Sequence, residues 1–128
     1  MDIWETGDVA RIADVSLRQL QWWHEKGVVS PQIIDHRRNY SREQAVEVCV
    51  IAELRRRGLS LQEIRRHQKF LRDTLINRHY LYMLVIGKQA VGCDDSGAAI
   101  EIIKRSKKAV HLICLSDHVN RVMRKVAA

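Results

Sequence analysis

Hydrophobic residues in the first part of the chain recur at helical spacing, and capping or turn residues separate the helical stretches. Thr6 can cap a first helix over residues 7–13. Ser16, followed three positions later by Gln19, has the sequence of a capping box and predicts a second helix that ends at Gly27. The chain therefore opens with two short helices separated by a tight turn.

Two further capping boxes predict a second pair of helices. Ser41 with Gln44 opens a long third helix, and Ser60 with Glu63 opens a fourth that extends to about residue 77. The hydrophobic residues expected inside lie at helical spacing: Val46, Cys49, Val50 and Leu54 in the third helix, and Leu61, Ile64, Leu71 and Leu75 in the fourth.

The segment VVSPQIIDHRRNY, between the second and third helices, does not fit a helix. Pro31 interrupts helical hydrogen bonding, and the β-branched residues around it favour short strands. The polar run DHRR can then form the tip of a two-stranded wing over residues 33–40. The predicted order in this half is helix, helix, wing, helix, helix.

The second half of the chain has a different pattern. YLYMLVI and QAVGC predict two strands around a turn at residues 87–88, and Asp95 or Ser96 begins a helix. AVHLICL predicts a buried strand, and Ser116 or Asp117 caps a last helix. The order β-β-α-β-α is typical of a small α+β module.

These elements together predict a mainly α fold with a small α+β module at its C-terminal end. Residues 1–78 form the helical and winged domain, and residues 79–128 form the β-β-α-β-α unit. The strand YLYMLVI is strongly apolar, and we expect its edge to pair with a second copy of the chain. A homodimer is therefore predicted, and a monomer whose strands are all covered internally is the alternative.

The charge balance indicates a class of partner. The 128 residues carry a formal net charge of +7, which favours polyanions and nucleic acid first, although solubility alone also accounts for it. The three widely spaced cysteines and the lack of a secretory signal fit a reducing cytoplasm. The longest apolar run, YLYMLVIG, is too short to span a bilayer, so no membrane partner is expected.

Sequence motifs for catalysis and cofactor binding are absent. The chain has no glycine-rich phosphate loop, nucleophile elbow or metalloprotease helix, so we expect neither an enzyme nor a bound cofactor. Asp94 and Asp95, which follow Cys93, are explained by a helix N-cap. His111 and Cys114 point to opposite faces of a strand, so no metal site is predicted.

The second helix carries two adjacent tryptophans that cannot both face the core. On a helical wheel one face holds Leu17, Leu20 and Trp23, and the opposite face holds Arg18, Trp22 and Glu25 with Gln21 at its border. Trp23 is thus expected in the core and Trp22 on the surface beside Arg18. Such a surface suits a DNA recognition helix, although Trp22 can instead pack against the wing or a neighbouring subunit.

Three motifs in this order and spacing resemble the DNA-binding domain of the MerR family of transcriptional regulators. They are TGDVARIADVSLRQLQWWHEKGVV, RRNYS and VIAELRRRGLSLQEIRR, and the resemblance covers residues 3–71. It implies that the recognition helix, residues 17–26, enters the major groove and that the wing contacts the flanking backbone. Regulators of this family usually dimerise through a long coiled-coil helix, which this chain lacks.

The resemblance also assigns roles to single residues. Arg18 matches the arginine early in the family's recognition helix, and Arg38 and Tyr40 match its wing arginine and tyrosine. Trp22 and Trp23 occupy the position of the usual tyrosine pair. Gln21 stands where many members carry a second arginine, and glutamine suits adenine better than guanine.

Further arginines complete the predicted DNA-binding surface. Arg37 and Arg38 at the wing tip are expected to contact phosphates, and one or two arginines near the turn GLS are expected to do the same. A solvated charged surface is the alternative for both groups. The predicted DNA-binding residues are Arg18, Gln21, Trp22, Arg37, Arg38, Tyr40, Arg55 and Arg56.

The resulting hypothesis is a cytoplasmic, sequence-specific transcriptional regulator. It would bind double-stranded DNA as a homodimer, with RNA polymerase as a further partner at a promoter. Two alternatives remain: an architectural or excisionase-like accessory DNA-binding protein, and a protein-interaction module whose winged helix does not bind DNA.

Overall fold

The computed structural model describes the backbone of residues 3–127, with side chains except those of residues 78 and 125–127. The first half contains β1 (Trp4–Glu5), α1 (Thr6–Ala13), α2 (Leu17–Glu25), β2 (Gln32–Ile34), β3 (Arg37–Tyr40), α3 (Arg42–Arg56), α4 (Leu61–Asp73) and a π-helical turn (Thr74–Arg78). The second half contains β4 (Tyr82–Ile86), β5 (Gln89–Cys93), α5 (Ser96–Arg105), β6 (His111–Cys114) and α6 (Leu115–Ala127). The predicted fold class is confirmed, including the β-β-α-β-α order. None of the described helices is long and apolar enough to cross a membrane.

The capping residues determine where α3 and α4 begin. Both predicted capping boxes form with both of their hydrogen bonds: Ser41 with Gln44, and Ser60 with Glu63. Before α2, the Gln19 N–H donates to Ser16 Oγ at 3.0 Å, but the reciprocal bond is not formed among the described residues. That capping box was predicted in full and is only half present.

Two other helix starts differ from the prediction. Thr6 does not cap α1 but is its first residue, because Glu5 before it is extended and pairs with β3. The last helix begins at Leu115, ahead of the predicted caps Ser116 and Asp117. The Leu115 N–H still donates to Leu81 O at 2.9 Å, so α6 follows β6 without a loop.

The wing is the antiparallel hairpin of β2 and β3, as predicted. Asp35 and His36 at its tip both have positive φ values, 51° and 65°, as a two-residue type I′ turn requires. β1 adds a third strand, in which Trp4 pairs with Tyr40, so the sheet order is β1-β3-β2. A strand of two residues has no detectable pattern of alternation, and the sequence did not indicate it.

The second sheet has the order β5-β4-β6, which corrects the prediction for the strand YLYMLVI. β4 is the central strand and pairs with a neighbour on both sides, so its edges are not available to a second copy. It is apolar because both of its faces are covered. Met83 and Val85 face the main core, and Leu84 faces a smaller cluster formed with Ala99 of α5.

One main core joins the two halves of the chain. Val122 of α6 and Ile113 of β6 belong to the same cluster as Leu54 of α3 and Val9 of α1. The Trp4 Nε1–H also donates to Val122 O at 3.3 Å. The predicted domain boundary, between residues 78 and 79, falls between the π-helical turn and β4, and α6 returns across it to pack on the N-terminal helices.

A partly buried polar network fixes α6 to α3 and α1. Arg121 donates to His118 Nδ1 at 2.9 Å and to Ile12 O at 3.3 Å. Since His118 Nδ1 accepts, its Nε2 carries the proton and donates to Glu53 Oε1. Burial lowers the pKa of His118, which favours this neutral form. Burial alone would raise the pKa of Glu53, but the hydrogen bond from His118 and the charge of Arg57 outweigh it and lower that pKa.

Candidate nucleic-acid interface

The two adjacent tryptophans of α2 divide as predicted. Trp23 is 1% exposed and lies in the main core, whereas Trp22 is 43% exposed. Leu17 was expected beside Leu20 on the inner face, and this is wrong, because Leu17 is 60% exposed. Leu17 is the first residue of the helix, and the preceding Val15 packs against the core in its place.

The outer face of α2 forms a polar ridge around Trp22. Arg18 is exposed and forms no hydrogen bond or ion pair with any residue that the structure describes. The Gln21 Nε2–H donates to Glu25 Oε1 at 3.0 Å. Bidentate reading of an adenine uses both the amide N–H and the amide oxygen of glutamine. Gln21 must therefore exchange Glu25 for the base when it reads DNA in this way.

The wing lies beside α2, and its two arginines differ in their surroundings. Arg37 is exposed and 3.7 Å from Glu5, a separation typical of a weak surface pair. Arg38 is half-buried, and its Nε–H donates to His24 Nδ1 of α2 at 2.6 Å. A shallow groove between the wing and α2 is lined by His24 and both arginines. The structure thus brings the wing tip and the polar ridge of α2 into one region.

Tyr40 is not part of the exposed surface, contrary to the prediction that it contacts DNA. Its side chain is 1% exposed, and its hydroxyl makes no hydrogen bond with a described residue. Burial raises the pKa of Tyr40, with the charge of Arg38 acting in the opposite direction. The ring lies in the main core with Trp4, its cross-strand partner. Tyr40 therefore supports the wing from beneath.

Arg55 and Arg56 are exposed residues near the end of α3, and both are tied to backbone carbonyls. Arg55 Nη1 donates to Leu59 O at 2.9 Å, across the turn that leads to α4. Arg56 Nη1 donates to Ala13 O at 3.2 Å, at the end of α1. Their first role is to brace these turns, and the remaining N–H groups of each guanidinium stay on the surface.

A network of hydrogen bonds that the sequence did not predict holds the end of α2. Glu47 Oε2, buried in α3, accepts from Arg72 Nε at 2.7 Å and from Gln68 Nε2 at 3.0 Å. Arg72 and Gln68 both donate to Val28 O at 2.8 Å, and Arg65 donates to Lys26 O at 2.9 Å. Burial raises the pKa of Glu47, and the charge of Arg72 opposes that rise. The only signal in the sequence was a set of polar residues within the amphipathic helices.

The residues considered for metal binding do not form a site. His118 is engaged by Glu53 and Arg121. Cys93 and Cys114 flank Tyr82 on opposite sides of β4, so a strand separates them. Within the described ranges, no three or more histidine, cysteine, aspartate or glutamate side chains are grouped to hold a metal ion.

Comparison with known proteins identifies the family of the chain. A search of the curated proteins found no match. The model of the MerR HTH family of regulatory proteins matches residues 5–71, which is more than half of the 128-residue chain. The matched region contains α2, the wing and every residue of the Glu47 network except Arg72, which follows directly after it. The resemblance inferred from the three motifs is thereby confirmed, and the chain belongs to the MerR HTH family of DNA-binding regulatory proteins.

Proposed function

We propose that this protein is a sequence-specific transcriptional regulator in which α2 enters the major groove and the wing contacts the adjacent backbone. The observation that carries the proposal is the exposed ridge of α2, Arg18 to Glu25, standing beside a wing that presents two arginines. The net charge of +7 adds a general attraction to DNA. Proteins of this family are typically DNA-binding regulators and not enzymes.

The residues of this surface divide into base-reading and backbone-binding groups. In the proposal Arg18 reaches a guanine edge or a phosphate, Gln21 reads adenine, and Trp22 packs against sugar and backbone. Arg37 and Arg38 bind phosphates and give affinity without base choice. The free N–H groups of Arg55 and Arg56 supply further phosphate contacts.

The proposal includes a homodimer that forms through β6. Because the Leu115 N–H bonds to Leu81 O and antiparallel bonds alternate, the N–H and C=O groups of Leu112 and Cys114 face away from β4. β6 is an edge strand of the sheet, so the N–H and C=O of Leu112 and the N–H of Cys114 are open to a second β6. The Cys114 C=O instead accepts the first hydrogen bond of α6, which begins at Leu115. Lys107 precedes β6 and Asp117 follows it in the first turn of α6. Symmetric antiparallel pairing centred on Leu112 therefore puts these opposite charges of the two subunits at the same end of the paired strands.

A charge exchange tests this dimer. We expect a dimeric mass in sedimentation at micromolar concentration, and a shift toward monomer in Asp117→Lys because like charges then stand at each end of the paired strands. The double variant Asp117→Lys/Lys107→Asp should recover the dimer, since the opposite charges are restored. A monomer with and without DNA would show that the proposed dimer is wrong. If the double variant dimerises as weakly as Asp117→Lys, this register is excluded.

The experiment that tests the regulatory function is fluorescence anisotropy of labelled duplexes at about physiological salt. The promoter upstream of the protein's own gene is compared with a scrambled duplex of the same composition. A preference of about a hundredfold or more supports a transcription factor that regulates its own gene. Equal, salt-sensitive binding to both duplexes favours an architectural or excisionase-like role, and no binding to either favours a protein-interaction module.

Two single variants separate the roles of the wing and of α2. Arg38→Ala should weaken binding to all sequences and reduce the slope of log K against log salt by about one, because one phosphate contact is lost. Gln21→Ala should instead reduce the preference for the specific duplex and leave the slope nearly unchanged. Anisotropy titrations at several salt concentrations measure both quantities. If the two variants behave alike on specific and random DNA, this division of roles is wrong.

A further inference from the structure

We propose that His24 is a positioning residue for DNA binding, which holds Arg38 in the orientation that meets a phosphate. The inference rests on the proposed function, because it concerns how one residue of that surface is prepared for DNA. Neither the sequence motifs nor the family match assigns a role to this histidine. It lies in the last turn of α2, and Arg38 lies on β3 of the wing.

The hydrogen bond between the two residues defines their chemical states. Arg38 Nε donates to His24 Nδ1 at 2.6 Å, and both side chains are half-buried. An arginine has only donors, so Nδ1 must be the acceptor and Nε2 must carry the ring proton. His24 is therefore neutral in this arrangement. The bond joins the two DNA-facing elements directly, across fourteen positions of sequence.

The bond also determines which part of the guanidinium is left for DNA. The Nε–H of Arg38 is occupied, so the four N–H groups on Nη1 and Nη2 remain at the outer end of the fork. Two parallel hydrogen bonds from that end match the geometry of a phosphate. Arg38 approaches DNA with its side chain already ordered, so less conformational freedom is lost on binding. Arg37 has no comparable hydrogen bond from its side chain to a described residue; it is exposed and forms only a surface ion pair with Glu5 at 3.7 Å.

Asparagine and leucine at position 24 provide a matched pair of variants. Their side chains branch at the same atom and are nearly equal in shape, but only asparagine offers an acceptor close to the place of Nδ1. His24→Leu should weaken binding to specific and random duplexes alike by roughly tenfold and lower the salt slope by about one. His24→Asn should stay within about threefold of the unaltered protein in affinity and keep its slope.

A double-variant cycle shows whether His24 acts through Arg38. In the Arg38→Ala background, His24→Leu should cause no further loss of affinity, because the group that it positions is gone. If His24→Leu leaves affinity and slope unchanged while Arg38→Ala lowers both, the inference is overturned and the proposed function stands. The inference also fails if His24→Asn is as weak as His24→Leu, or if the two losses are additive. If neither Arg38→Ala nor replacement of Arg18 affects binding, the proposed function itself fails.

Discussion

Replacement of Gly92 by alanine is expected to lower the free energy of unfolding by about 2–3 kcal/mol. A methyl group at this position of β5 would lie 2.0, 2.3 and 2.5 Å from three ring atoms of Tyr80. The Tyr80 ring cannot simply withdraw, because it is stacked on Phe70 with a centroid distance of 6.4 Å and an interplanar angle of 4°. Chemical denaturation monitored by circular dichroism measures the loss.

The same substitution at Gly7 serves as the control. Gly7 lies in α1, and a methyl group there would have no heavy atom of the described residues within 4 Å apart from its own helix backbone and chain neighbours. Gly7→Ala should therefore raise the free energy of unfolding by up to about 1 kcal/mol, because alanine favours helix. In the double variant Gly92→Ala/Tyr80→Ala, the free energy of unfolding should fall by less than the sum of the two single losses, because the ring that clashes with the methyl group is gone. Equal stability of Gly92→Ala and the unaltered protein would contradict the close packing of Tyr80.

Local signals in the sequence were sufficient to predict most of the helices and the wing. Capping boxes at Ser41 and Ser60 satisfy helix N–H groups with side chains three positions away, so they can be read without knowledge of the fold. Pro31 and the polar tip of the hairpin are equally local. The division between Trp22 and Trp23 also follows from helical geometry alone.

The features that were missed depend on partners distant in sequence. The apolar pattern of β4 fits an edge that awaits a second copy as well as a central strand, and only the position of β6 distinguishes the two. Tyr40 has the position of a DNA contact in the family pattern, but its pairing with Trp4 takes the ring into the core. Leu17 is an exception with a local reason, because it is the first residue of α2 and Val15, which precedes the helix, packs against the core in its place.

In the candidate site, too, local features could be predicted from the sequence and long-range contacts could not. The exposed residues of α2 could be predicted, because helical spacing defines which side chains face outward. The bond between His24 and Arg38 could not, because it depends on the angle at which the hairpin meets α2. The end of α2 is in turn held through buried polar groups such as Glu47, whose partners lie 21 and 25 positions away. Long-range hydrogen bonds of this kind leave no periodic signal in one sequence.

Replacement of Arg18 by glutamate is expected to weaken binding to the specific duplex by roughly a hundredfold or more, equivalent to about 2.7 kcal/mol. The substitution removes a cation that makes no bond with a described residue and puts an anion in its place on the exposed ridge of α2. In the major groove that anion would lie near phosphates of both strands, so repulsion adds to the lost contact. The folded state should be preserved, because the side chain is exposed and makes none of the bonds that hold α2.

Arg105→Glu provides the matched control, because it makes the same change of charge on a different face. Arg105 is exposed on α5, which covers the face of the second sheet opposite the main core. The two variants share the same net charge, so a general loss of attraction to DNA would affect both equally. A large loss for Arg18→Glu with a small loss for Arg105→Glu supports insertion of α2 into the groove. Equal losses would mean that the protein binds DNA through its overall charge, and the proposed recognition helix would have to be abandoned.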